Sequence, residues 1–184
     1  MFLVILGILT SFLSEIEKCT LTSDCVFTIS SEQSQDFSYP GSVIMEGDKF
    51  YLNILGIEAA YDGETMYMYS DDMQELTLSN PSEEELQQTN PIRFAKALAE
   101  VSRIEEKVAK NGKREVILYP NDLSMGVLRV ALTLDQNGKL PVFVEIREIN
   151  KLSRLVFVDP QITSSHSLHS FTLNKPDAFL NDLR

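Results

Sequence analysis

The chain has 184 residues, 43% hydrophobic and 23% charged, a balance that fits one globular domain with a single core and argues against disorder. Its 27 acidic against 16 basic side chains leave a formal charge of −11, and the densest basic stretch, Lys107 to Arg114, is broken by Val108, Ala109, Asn111 and Gly112. A surface of that sign repels phosphate backbones and anionic membranes, which removes nucleic acid from the expected partners.

The N-terminal run Met1 to Leu13 is apolar, about as long as a signal-peptide core and too short to span a bilayer. No Lys or Arg precedes it and no small-x-small cleavage site follows. Phe2, Ile5, Leu9, Phe12, Leu13 and Ile16 also recur mostly at three- and four-residue spacing, which predicts one face of a helix packed on a domain. Residues 1–14 are therefore read as a signal peptide or an N-terminal helix, and 15–184 as a single domain. Cys19 and Cys25 fit either a disulfide or two unrelated buried thiols.

From Val26 the pattern is strand, turn, strand. Val26 to Ser30 alternates with period two, Tyr39-Pro40-Gly41 predicts a turn, and Ser42 to Glu46 a short strand closed at Glu46-Gly47-Asp48. Phe50 to Leu55 is its expected partner. Glu58 to Tyr61 and Thr65 to Ser70 flank Asp62-Gly63, a strong hairpin signal, and Glu75 to Ser79 continues the meander after Asp71-Asp72. Ser82 followed by Glu85 has the spacing of a capping box, and Asn90-Pro91 starts a second helix with Ile92, Ala95 and Leu98 on one face. Strands then resume: Ile104 to Ala109 with Arg114 to Tyr119 around Asn111-Gly112, Val127 to Leu134 with Leu140 to Ile146 around Asn137-Gly138, then Leu152 to Pro160 and Ser170 to Leu173.

The expected fold is α+β, mostly antiparallel, with about ten or eleven strands, because tight hairpins cannot join parallel strands. A meander this wide curls, and helices laid across its mouth would enclose an apolar cavity. Catalytic chemistry finds little support. His166 and His169 lie in a Ser-rich loop, Glu83-Glu84-Glu85 reads as a solvated helix start, and phosphate-loop, nucleophile-elbow and metalloprotease motifs are missing from the sequence. The expectation is no catalytic site, no metal and no cofactor. Met45, Met66, Met68, Met73 and Met125 fall in the region of short strands with Tyr51, Tyr61, Tyr67 and Tyr69. They read as ordinary core or as a surface that adapts to varied apolar ligands. Alternation in Met66-Tyr67-Met68-Tyr69 puts methionines on one face and tyrosines on the other, and the methionine face is the one expected to line the cavity.

Asp48-Lys49-Phe50-Tyr51-Leu52, the hairpin Tyr61-Asp62-Gly63-Glu64-Thr65 with its return strand Met66 to Ser70, the stretch Glu75 to Leu86, Asn90-Pro91 and the terminal Asp182-Leu183-Arg184 together resemble the LolA family of outer-membrane lipoprotein carriers, in its Bacteroidetes-type branch. The resemblance runs from about Val26 to the C-terminus. It implies a half-open β-barrel under a helical lid, working as a periplasmic monomer. Such a chaperone would bind the acyl chains of lipoproteins, receive them from an inner-membrane lipoprotein-releasing transporter and pass them to an outer-membrane acceptor. The cavity-lining residues expected on this reading are Met45, Phe50, Leu52, Met66, Met68, Ile92 and Leu98, with Lys49 as the cation nearest to where the family carries a handover residue. An outer-membrane receptor or other envelope lipid-binding protein of the same fold is the alternative, and a hydrolase using the cavity is a third reading.

Overall fold

A computed structural model describes residues 7–31, 34–124, 126–164 and 169–184. Phe2, Ile5, Met125 and His166 lie outside the described residues. The chain opens with helix α1 (Ile8–Ile16), whose Leu9, Phe12, Leu13 and Ile16 are buried, the spacing of an amphipathic face. Then come β1 (Thr20–Ser31), β2 (Ser34–Glu46), β3 (Lys49–Ile54), β4 (Ile57–Tyr61), β5 (Met66–Ser70) and β6 (Glu75–Ser79). Helices α2 (Glu83–Thr89) and α3 (Pro91–Glu100) precede β7 (Ser102–Val108), β8 (Arg114–Pro120), β9 (Val127–Leu134), β10 (Pro141–Glu148), β11 (Lys151–Thr163) and β12 (Phe179–Asp182).

All strands belong to one 12-stranded sheet, ordered β12-β6-β5-β4-β3-β2-β1-β11-β10-β9-β8-β7. Pairing is antiparallel except for β12 on β6, and β7 and β12 remain as free edges, so the barrel is not closed. Four hairpin turns lie where the sequence places them, with positive φ at Gly47, Gly63, Gly112 and Gly138. The capping box at Ser82 and Glu85 forms, and Asn90 caps α3 by accepting from the Ile92 and Arg93 amides.

Two expectations need correction. Tyr39-Pro40-Gly41 is no turn: β2 runs straight through it, pairing Pro40 with Val26. Proline is tolerated there because β3 reaches only Gly41, leaving residues 34–40 of β2 paired on the β1 side alone. Gly41 is needed because a Cβ at that position would collide with the Asn53 carbonyl of β3. Ser170 to Leu173 is not a strand either; it crosses the outer face, where Leu173 and Ala178 pack over Tyr69, Leu76 and Leu78. The last strand is instead β12, which raises the count to 12. Of the two readings open for Cys19 and Cys25, the structure has free thiols, and burial pushes the Cys25 thiol up.

Register fixes which side chains face inward. Leu21, Cys25 and Phe27 of β1 align with Met45, Gly41 and Tyr39 of β2, and Cys25 and Phe27 with Phe157 and Leu155 of β11. Arg154, Val156 and Val158 alternate to the outer face. Helices α1, α2 and α3 lie against the inner face, and their buried residues share one core cluster with the strands.

Candidate functional site

Beneath α1 and α3 the inner face is hollow. The cavity has a volume of about 320 Å³. Its floor is Leu21 and Phe27 of β1, Val43 and Met45 of β2, Leu52 and Ile54 of β3, Val130 and Leu132 of β9, Val144 and Ile146 of β10, and Leu155 and Phe157 of β11. Its roof is Leu9, Phe12 and Leu13 of α1 with Ile92, Phe94, Ala95 and Leu98 of α3. Ser153 and Arg154 are the polar residues among the described lining. The Arg154 guanidinium is turned to the outer face, where its Nε lies 3.2 Å from Glu145 Oε2; Arg129 meets the same carboxylate at 2.7 Å. A wall of this composition offers dispersion contacts and apolar surface.

The roof is tied down mainly at one end of the sheet, that of the Gly47 turn. The Asn90 side chain donates to the Asp48 carbonyl at 2.6 Å while its own oxygen caps α3, so one buried amide both starts the helix and anchors it. Arg93 adds ion pairs to Asp48, at 2.9 Å, and to Glu83 of α2, at 2.5 Å. These contacts hold the guanidinium pKa above its ordinary value. Lys96 of α3 pairs with Glu17 just after α1, and the Leu9 amide donates to Glu106 of β7 at 3.0 Å. From this anchored end α3 runs toward β7 and β8, and the inner faces of β2, β4 and β5 emerge uncovered at the other end. There Phe37, Ile57 and Met68 are 53%, 42% and 47% exposed, forming an apolar shelf outside the cavity mouth.

Of the residues singled out from sequence, Met45, Leu52, Ile92 and Leu98 line the cavity. Phe50 and Met66 face inward and are buried in the core with Tyr61, and neither lines the cavity. Met68 also faces inward, in register with Ala59, and sits on the open shelf. Lys49 is exposed at the start of β3; the cations that tie the lid down are Arg93 and Lys96, both on α3. Most of the floor, including Leu21, Val130, Leu132, Val144 and Leu155, lies outside the residues that the sequence singles out. Their alternation was visible, but nothing local reveals that β1 sits between β2 and β11 and so brings both halves of the chain under one lid. His169 is exposed beside a polar recess of the outer face with Asp24 and Asp159, away from the cavity. Among the described residues no His, Cys, Asp and Glu side chains gather into a metal-holding group.

No family model and no curated protein matches the chain. Solved structures do. An uncharacterized conserved protein from Thermus thermophilus is similar over 94% of this chain and 97% of its own, with TM-score 0.61 and 12% identity. A putative outer membrane lipoprotein-sorting protein domain from Vibrio parahaemolyticus gives TM-score 0.45 at 11% identity, over 88% of this chain and 94% of its own. A LolA superfamily protein from Nitrosomonas europaea gives 0.39 at 11% identity, over 83% and 92%. At such identities the Thermus likeness shows a shared fold, and the two weaker ones add nothing to it. The architecture itself is an unclosed, mostly antiparallel barrel under a helical lid, as the sequence resemblance implies.

Proposed function

We propose that the chain is an extracytoplasmic carrier of LolA-like type that shields the acyl part of lipid-modified proteins during transfer between membranes. The observation that carries this reading is the cavity: a lidded void of about 320 Å³ whose lining is almost wholly aliphatic and aromatic. Filling it with methylenes is favourable by about 0.8 kcal/mol each. The lid contacts at Asp48, Asn90 and Arg93 supply a place where opening can be controlled. On this reading the protein works in the periplasm, cargo arrives from an inner-membrane transporter, and an outer-membrane acceptor takes it. Mass spectrometry of lipid or lipopeptide retained by protein purified from its native envelope tests the proposal; acylated cargo is expected, and a preparation free of acyl chains would refute it.

A second reading, an acceptor of the same fold resting on the outer membrane, draws on exposed apolar side chains at two adjacent turns. Leu55 is exposed with φ of 64°, and Met73 is 75% exposed at the β5–β6 turn. Co-sedimentation with neutral phosphatidylcholine vesicles, lost in Leu55→Ser, would favour this acceptor role.

A further inference from the structure

We infer that residues 34–40 of β2 are the docking edge for the extended polypeptide that bears the acyl chain, which adds there as a further strand; this deepens the carrier reading and rests on it. The sheet has a step on this side. β1 pairs with β2 from Ser34 to Glu46, but β3 pairs only from Gly41 to Glu46, so residues 34–40, about 23 Å of strand, have a neighbour on one side alone. Asp36, Phe37, Ser38 and Pro40 are exposed there and Tyr39 is half-buried. The two outermost edges of the sheet are guarded differently. β7 carries Arg103, Glu105, Glu106 and Lys107, and β12 is only 4 residues long; charge and shortness both discourage pairing with another chain. The β2 stretch is as long as β7 and holds one charged residue, Asp36, with Pro40 withholding an N–H at the end next to β3. An edge so long and so lightly guarded offers main-chain donors and acceptors to a partner.

Its position selects the partner. Gly41, where the pairing with β3 ends, is in register with Ile54, and Tyr39 is in register with Phe27; Ile54 and Phe27 both line the cavity. The free edge therefore begins at the cavity mouth, and an acyl chain seated in the cavity carries its attached polypeptide onto it. Phe37 and Ile57 lie exposed on the inner face beside the step, so alternate side chains of an added strand rest on apolar surface. The hydrocarbon wall of the cavity takes the tail of a membrane lipid as readily as that of a lipid-modified protein. Main-chain hydrogen bonds along β2 are open only to the protein. The edge thus supplies a discrimination that the cavity lacks.

Calorimetric titration of the full wild-type chain, below micelle concentrations, tests this with a dodecanoyl hexapeptide of alternating alanine and serine, the same probe N-methylated along its backbone, and dodecylphosphocholine. Amide hydrogen exchange of each complex, read by mass spectrometry, locates the contact. The unmethylated peptide is expected to bind about tenfold or more tighter than its methylated form, the worth of one or two net main-chain hydrogen bonds. It is also expected to slow exchange within residues 34–40, which dodecylphosphocholine leaves unchanged. Equal affinity of the two peptides, or added protection confined to Ser102–Val108 of β7, would overturn the docking edge while leaving the carrier reading standing. Failure of all these probes to bind would overturn the carrier reading itself.

Discussion

The inner face of the sheet carries two apolar stretches that serve differently: among the described residues Phe50, Tyr61, Met66 and Leu86 are buried in the core without lining the cavity, the rings of Phe50 and Tyr61 lying 6.3 Å apart. Around α1 and α3 the floor is largely Val, Leu and Ile: Leu21, Val130, Leu132, Val144 and Leu155. Phe27, Met45 and Phe157 share that floor, so neither hydrophobicity nor side-chain size alone marks a binding site; the position of the helices over the sheet does.

Truncating the two regions sharpens the contrast. Phe50→Ala removes a ring from the core outside the cavity and is expected to cost about 3–5 kcal/mol in urea unfolding, with little change in acyl affinity. Leu132→Ala enlarges a void that already exists, so its cost falls at the low end for such changes, about 2 kcal/mol, and it should admit a longer chain. Equal costs for the two would contradict the division between packed and hollow. Arg93→Ala leaves both regions intact and loosens the lid. With partners that are mostly exposed, it should cost no more than about 1 kcal/mol in stability while speeding dye-labelled acyl release several-fold in stopped flow; unchanged release would remove Arg93 from the lid's control.

The smallest effect is at the Asp62 turn. Burial alone would raise this carboxyl, but the Thr65 and Glu64 amides and the Tyr67 hydroxyl outweigh it and hold the pKa below the ordinary 3.8. A depressed carboxyl stabilises the fold at neutral pH, and the contribution disappears as pH falls through the native pKa. Asp62→Asn should therefore cost about 1 kcal/mol at pH 7, and the gap between variant and wild type should shrink as the pH falls below the ordinary 3.8. A gap independent of pH would mean that the carboxylate charge plays no part.

Much of the fold is legible in the sequence because it is written locally. Asp62-Gly63, Asn111-Gly112 and Asn137-Gly138 set hairpins through backbone geometry, and Ser82-Glu85 and Asn90-Pro91 start helices through nearby side-chain hydrogen bonds. Pro40-Gly41 misleads because the same residues serve a half-paired strand and a close approach to β3 as well as they serve a turn. The site is less legible. Met66 and Met68 are on the inward face, as alternation requires, yet one is packed beneath a helix and the other lies beyond the lid. Which part of an inward face is covered depends on long-range strand order and on ties such as Arg93 to Asp48, 45 residues apart, which no local pattern encodes.

Photo-crosslinking with a single-chain lipid carrying a diazirine at its terminal carbon tests the central claim most directly, with labelled residues read by peptide mass spectrometry. If the chain end is held within the trough, label falls on Leu13, Leu21, Pro141 and Phe157 at the anchored end of the cavity. Label confined to the outer-face residues Tyr67 and Leu173, or to exposed Met73, would contradict it.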